Sequence, residues 1–340
     1  MRILFVPQQP YFVVNGGFEV QQQQTILALQ HAGVSVEKLD LWKPSFDADL
    51  VHLFGSEIGH VHFASLLKAQ GIPYVTSAMF MPRQSRWRHR VFHALNNFIP
   101  DTALSQRIRI LKNSSHIVTL TNWETEAIRT LLNVKDVECT VVPNGVEERF
   151  FHSSKDLFIN THHLDDFVLC VSRVEHRKNQ LRLARAMANS GIPTVFVGPV
   201  ARSGMKDESL YFKEFTDVVN SSPTLHWLGE IDHADPMLAS AFSAARVHVL
   251  PTYIDAQGMV TTEAAAAGCS IVVGDIPTQR ELYGDYVRYV NPFDESHIAK
   301  AVTSVYAEPR GSIRPPASLT PSWAEVAQKL IAVYEKALKV

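Results

Sequence analysis

The stretch Val247–Gly274, VHVLPTYIDAQGMVTTEAAAAGCSIVVG, decides how the chain is read. Val247–Leu250 is an apolar, β-branched run of strand length that ends at Pro251. A loop leads to Gly258, which opens an alanine-rich helix over Val260–Ala267. Ser270–Val273 is a second short apolar run. Strand, loop, helix and strand in this order form a βαβ unit, and such units build parallel sheets covered by helices.

The same alternation extends in both directions. Upstream, Phe167–Ser172, Thr194–Val197 and Thr224–Trp227 are expected strands, with helices at Gln180–Ser190, Ser209–Asn220 and Asp235–Ala244. Downstream come a strand at Tyr286–Val290 and a helix at Glu295–Ala307. A separate series fills the first half, with strands at Arg2–Pro7, Val34–Asp40, Leu50–Phe54, Tyr74–Ser77, His116–Leu120 and Glu138–Val142. Helices at Glu19–Ala32, Val61–Gln70 and Trp123–Leu132 lie between them. Turn signals change at Pro143-Asn144-Gly145, and Glu147–His163 reads as a polar, histidine-rich linker. After Pro315, Pro316 and Pro321 an amphipathic helix, Trp323–Leu338, closes the chain.

A chain of 340 residues is long for one core. The reading is therefore α/β with two Rossmann-like, doubly wound parallel-sheet domains facing a central cleft. The expected domains are 1–147 and 148–310, with 311–340 as a linker and helix returning to the first. Composition is 46% apolar and 19% charged, which suits a globular protein rather than a disordered one. The net charge of −2 gives no general attraction to nucleic acid. Cys139, Cys170 and Cys269 are odd in number and widely spaced, which suits a reducing compartment. No run is long and apolar enough for a signal peptide or a membrane span, so a cytoplasmic protein is expected.

Two segments carry candidate chemistry. In Cys170–Gln180, CVSRVEHRKNQ, a strand ends near Arg173 and a turn bears Lys178. Two cations leaving a strand end can offset a diphosphate, and Arg can bind two oxygens at once. In Pro251–Gly268, Asp255 and Glu263 flank Gly258, where the chain must turn for both acids to face one place. The amides of Met259, Val260 and Thr261 would form a helix N-terminus able to hold anionic oxygens. A solvated basic turn and a helix acid beside its macrodipole are the ordinary alternatives.

These segments together resemble the donor site of the GT-B glycosyltransferases of family 4, the glycosyl transferases group 1. The family's two acids with seven residues between them are matched by Asp255 and Glu263, and its diphosphate-binding Arg and Lys by Arg173 and Lys178. VPNGV (142–146), FVGP (196–199) with Gly198, LGE (228–230) with Leu228, GDIPTQRE (274–281) and the N-terminal Gly16-Gly17 loop match as well. The resemblance spans about the whole chain and is most specific over 142–281. It implies a retaining, metal-independent hexosyltransferase with a nucleoside-diphosphate sugar as donor and no cofactor. A saccharide or lipid-linked acceptor in bacterial surface polysaccharide synthesis would complete the reaction. By the same resemblance Arg173 and Lys178 neutralise the leaving diphosphate, Glu263 accepts from the ribose hydroxyls and Asp255 from the donor sugar. Gly16, Gly17, Gly198, Leu228, Gly258, Met259, Val260 and Thr261 would line the donor.

The chain departs from the pattern in VTSAMFMP, where Ala78 stands at the position of a usual family histidine, and in Asp255, which is shorter than the usual Glu. Ala78 keeps open a second reading, a catalytically silent GT-B scaffold for a partner transferase. Residues 76–115 hold seven Arg or Lys against one acid, interleaved with aromatics. The span 82–112 is thus expected either to lie on an anionic membrane at the inner face or to pack its apolar side on the first domain.

Overall fold

The computed structural model describes residues 1–8, 16–43, 46–81, 102–200 and 206–339. The chain divides into two compact units. One comprises Met1–Gly145 with Trp323–Val340, the other Val146–Ser322. Each contains a six-stranded, all-parallel sheet among the described residues.

In the first unit the strands are β1 (Arg2–Val6), β2 (Ser35–Lys38), β3 (Leu50–Phe54), β4 (Tyr74–Ser77), β5 (His116–Thr119) and β6 (Cys139–Val141). Their order is β2-β1-β3-β4-β5-β6, so the winding direction reverses between β1 and β3. Every residue of β3, β4 and β5 is buried, as a parallel sheet with both faces covered requires. Among the described residues its helices are α1 (Gly17–His31), α2 (Val61–Ala69), α3 (Ala103–Asn113), α4 (Asn122–Leu131) and the final α13 (Trp323–Ala337). Glu124 replaces solvent for two buried loops, accepting from the Phe80 and Leu120 amides at 2.7 Å each. His52 lies inside β3, with Nδ1 at 2.7 Å from Tyr334 Oη of α13 and Nε2 at 2.9 Å from Ser77 Oγ. Burial pulls its pKa down to about 3, so it is a neutral core residue.

The second unit holds β7 (Val168–Val171), β8 (Thr194–Val197), β9 (Leu225–Trp227), β10 (Val247–Leu250), β11 (Ser270–Gly274) and β12 (Arg288–Val290), in the order β12-β11-β10-β7-β8-β9. The chain winds outward from β7, returns to β10 on its other side, and winds outward again. Crossover helices are α7 (Gln180–Met187), α8 (Lys206–Asn220), α9 (Pro236–Ala244), α10 (Met259–Ala266) and α11 (Pro277–Tyr283), and α12 (Glu295–Ala307) follows the last strand. Entry and exit lie side by side, with the Val146 amide donating to Pro321 O at 2.9 Å.

Two expectations change. Residues 147–163 are no linker. They form α5 (Arg149–His152) and α6 (Asp156–His162), and Phe150 and Phe158 are fully buried in the core of the second unit. Two aromatics spaced among polar residues are enough to anchor short helices, but too few to give a periodic signal. Residues 311–322 likewise sit with the second unit, where Ile313 O accepts from the Ile271 amide and Arg314 donates to Ala265 O. Ala78, which stands at the position of the usual family histidine, is packed among Phe80, Leu111 and Ile117 at 1% exposure. Its side chain points into the core, while the half-buried Met79 beside it takes a left-handed backbone with φ of 49°.

Of the basic span 82–112, residues 82–101, with His89 and His93, lie outside the described residues. In the described remainder, Arg107 turns inward, donating to Ser56 O and pairing with Glu57 at 3.2 Å. Among the described residues no helix is long and apolar enough to cross a membrane.

Phe158→Ala tests the reassigned segment. A helix anchored in the core predicts a loss of about 3–5 kcal/mol, whereas an exposed linker predicts within about 0.5 kcal/mol. The midpoint of urea unfolding distinguishes the two.

Candidate functional site

In the second unit the reversal of strand order falls between β7 and β10. Both strands run parallel, so their following loops emerge side by side at the carboxyl edge. In open α/β sheets this is where ligands bind, because the diverging crossovers leave a crevice there. The loop after β7 carries Arg173, Glu175, Arg177 and Lys178, and the loop after β10 carries Thr252, Asp255 and Gly258.

Hydrogen bonds stitch the loops together. Arg177 O accepts from Thr252 Oγ1 at 2.7 Å and from the Tyr253 amide at 3.2 Å. Asn179, in a left-handed backbone with φ of 69°, donates to Pro251 O at 3.0 Å. Gln180 Nε2 donates to Ser172 Oγ and Arg173 O, both at 2.6 Å, which fixes the backbone beneath Arg173. The Arg173 side chain is half-buried.

At the centre, Lys178 Nζ donates to Asp255 Oδ2 at 2.6 Å, and Arg177 approaches Asp255 Oδ1 at 3.7 Å. Arg177 also pairs with Glu175 at 2.7 Å. Burial alone would push the Asp255 carboxyl up. The charges of Lys178 and Arg177, with hydrogen bonds from Lys178 and the Ala256 amide, outweigh it and hold the group below its ordinary value. Asp255 is therefore ionised and engaged with the cations.

Gly258 precedes α10 in an ordinary extended conformation, so its need is spatial. A Cβ there would stand 3.2 Å from Asp255 Oδ2 and 3.4 Å from Thr261 Oγ1. The helix N-terminus thus sits directly against the ion pair. The Thr261 amide donates to Gly258 O at 2.9 Å, which leaves the Met259 and Val260 amides as the orphan donors of that end. Gly198 is required more strictly. Its φ is +141°, and a Cβ would lie 2.1 Å from Ser172 O and 3.2 Å from Arg173 N. Its amide donates to Gly229 O and the Leu228 amide to Phe196 O, so both backbones are already engaged.

Glu263 lies farther along α10, with 4% exposure. One oxygen, Oε1, is 3.0 Å from His233 Nε2; the other, Oε2, has no hydrogen-bond partner among the described residues. A buried carboxylate oxygen without a donor is costly, and this one is able to accept a further hydrogen bond.

The structure thus gathers Lys178, Asp255, Gly258 and the start of α10 at one point, with Arg173 and Gly198 on the adjoining strand ends and Glu263 on the following turn. Gly16 and Gly17 belong to the first unit, at the N-terminus of α1 beside its own β1–β3 reversal, and residues 9–15 of that loop lie outside the described residues. The sequence reading overlooked Arg177, although it adjoins Lys178, and His233, which follows the LGE motif by three positions.

Asp255→Ala would leave Lys178 buried without its counterion and cost about 3–5 kcal/mol, while adding Lys178→Met should recover part of that loss. Because the Asp255 pKa is lowered, the pair's contribution is complete above the ordinary Asp range and is lost as pH falls through the lowered value. Urea unfolding of the single and double variants across acidic pH measures both effects.

Residues 25–145 match the Glycosyl transferase 4-like domain and residues 155–317 match Glycosyl transferases group 1. A D-inositol 3-phosphate glycosyltransferase of Nocardiopsis dassonvillei is 25% identical over 263 residues, 69% of this chain and 59% of that relative. The alignments to the curated relatives span between 56% and 59% of their length, less than two thirds. A sucrose-phosphate synthase from Thermosynechococcus elongatus superposes with a TM-score of 0.78 at 19% identity, covering 99% of this chain and 98% of the other. Anabaena HepE, solved in complex with UDP, gives 0.72 at 16% identity over 98% and 100% of the two chains. With two successive domain matches and this shared architecture, the chain belongs to the GT-B glycosyltransferases of the family 4 type.

Proposed function

We propose that the protein is a retaining hexosyltransferase that binds a nucleoside-diphosphate sugar in its second unit and transfers the sugar to a saccharide or lipid-linked acceptor. The observation that carries this reading is the cationic loop Arg173–Lys178 set against the N-terminus of α10 at the β7–β10 reversal. The diphosphate of a nucleotide sugar needs fixed positive charge and amide donors most when the glycosidic bond breaks and charge develops on the leaving group. Arg173, Lys178 and Arg177 supply the charge without a metal, and the Met259 and Val260 amides supply donors. Glu263 Oε2 offers the acceptor that a ribose hydroxyl requires.

Asp255 has two roles in this reading. It orients Lys178 inside the protein through the 2.6 Å contact, and it offers carboxylate oxygens to the donor sugar hydroxyls. Retention places the acceptor on the same face as the departing diphosphate, whose oxygens can take the acceptor proton. A surface polysaccharide as the product is supported by the family resemblance and by 21% identity to the O-antigen chain mannosyltransferase RfbU of Salmonella typhimurium.

Ala78 favours the scaffold reading less than its identity suggests, because that side chain is buried in the core. Donor hydrolysis by the purified protein separates the readings, since a scaffold shows none.

Saturating UDP, GDP, ADP and dTDP should be compared by thermal shift. The cognate diphosphate at about a hundredfold over its Kd stabilises by about 2.7 kcal/mol. Arg173→Ala is expected to lower kcat by about 10²–10³, the effect of removing one donor to a developing anion. Transfer that survives both Arg173→Ala and Glu263→Ala nearly unchanged would refute this donor site.

A further inference from the structure

His233 lies in the loop between β9 and α9, outside every motif that marks the donor site, yet it touches Glu263. Its Nε2 is 3.0 Å from Glu263 Oε1, its Nδ1 is 3.5 Å from Glu147 Oε1, and the side chain is 21% exposed. The loop that bears it is anchored from the reassigned segment 147–163. Arg149 donates to His233 O and to Asp235 O, pairs with Glu147 at 3.2 Å, and stacks over the Phe150 ring at 4.4 Å. Asp235 caps α9 through the Met237 amide and Asp232 accepts from Ala234, so neither loop acid competes for the imidazole.

We propose, resting on the donor-site reading above, that His233 is a positioning residue for the nucleoside: it holds Glu263 Oε1 so that Oε2 is turned to receive the ribose hydroxyls. The asymmetry of Glu263 argues for this over simple packing. Packing alone leaves the second oxygen unexplained: Oε1 is fixed by His233, while Oε2 is buried and has no hydrogen-bond partner among the described residues. A carboxylate free to rotate would have to be ordered by each ligand; one held by His233 is ordered beforehand.

The charge state of His233 follows from its neighbours. Burial opposes its protonation, but the Glu263 hydrogen bond and the carboxylates of Glu263 and Glu147 outweigh burial and the nearby Arg149, raising the pKa above the ordinary histidine value. The sign is therefore that of a raised base: the charged hold on Glu263 is complete at low pH and weakens as pH rises through the raised value.

The test measures UDP, GDP, ADP and dTDP binding by calorimetry between pH 6 and 9 for wild type, His233→Ala and His233→Gln. Gln places an amide N–H where Nε2 stands but carries no titrating charge. Loss of a hydrogen bond to a charged group predicts affinity weaker by about tenfold or more in His233→Ala. His233→Gln should recover to within about threefold of wild type and lose that part of the pH slope that His233 supplies. Affinity unchanged within about twofold in His233→Ala, or a wild-type pH slope in His233→Gln, overturns the positioning role while leaving the donor site intact. Wild type that binds none of the four nucleotides overturns the donor-site reading, and this inference with it.

Discussion

The ion pair of Lys178 with Asp255 is the interaction on which the site depends. It joins the loops after β7 and β10, the two strands between which the sheet reverses its winding, and it does so inside the protein. A buried ammonium or carboxylate is costly alone, so each loop can hold its charge only while the other is in place. The geometry of the cations, the start of α10 and Gly258 follows from that mutual requirement. It also means that the resting site carries less positive charge than a count of Arg and Lys implies, because Asp255 neutralises part of it.

The surroundings of the pair are arranged by backbone economy. Gly198 brings the end of β8 against Ser172 and Arg173 at a distance no side chain permits. Gln180 and Asn179 spend their amides on loop carbonyls that would otherwise lack donors. These residues shape the site without needing to touch a ligand. In the proposed reading the direct contacts fall to Arg173, Lys178, Asp255, Glu263 and the first amides of α10.

Segment 147–163 shows how a polar stretch can be structural. Phe150 and Phe158 anchor it in the core of the second unit, and Arg149, stacked on Phe150, ties down the loop of His233. Glu263 is in this way connected to residues far away in sequence through Arg149 and His233. Histidines elsewhere have quieter roles: His52 is a neutral spacer between Tyr334 and Ser77, and His60 bonds two carbonyls, those of Gly55 and Pro7.

Much of the architecture was legible in the amino-acid order. Short apolar runs such as Leu50–Phe54, Thr194–Val197 and Val247–Leu250 coincide with strands, and Glu295–Ala307 with a helix, since strand and helix periodicity are local properties of consecutive residues. Arg173, Lys178 and Asp255 could be singled out because they sit in motifs at strand ends, and Glu263 because of its spacing from Asp255. Their partners could not be. Lys178 and Asp255 are 77 positions apart, His233 and Glu263 are 30 apart, and Arg149 and His233 are 84 apart. Only the winding of the sheet brings such groups within a few ångströms. The inward turn of Ala78, the commitment of Asp255 to two cations and the one Glu263 oxygen without a partner among the described residues were decided there, because burial and pairing are set by what the folded chain places alongside a side chain rather than by its neighbours in sequence.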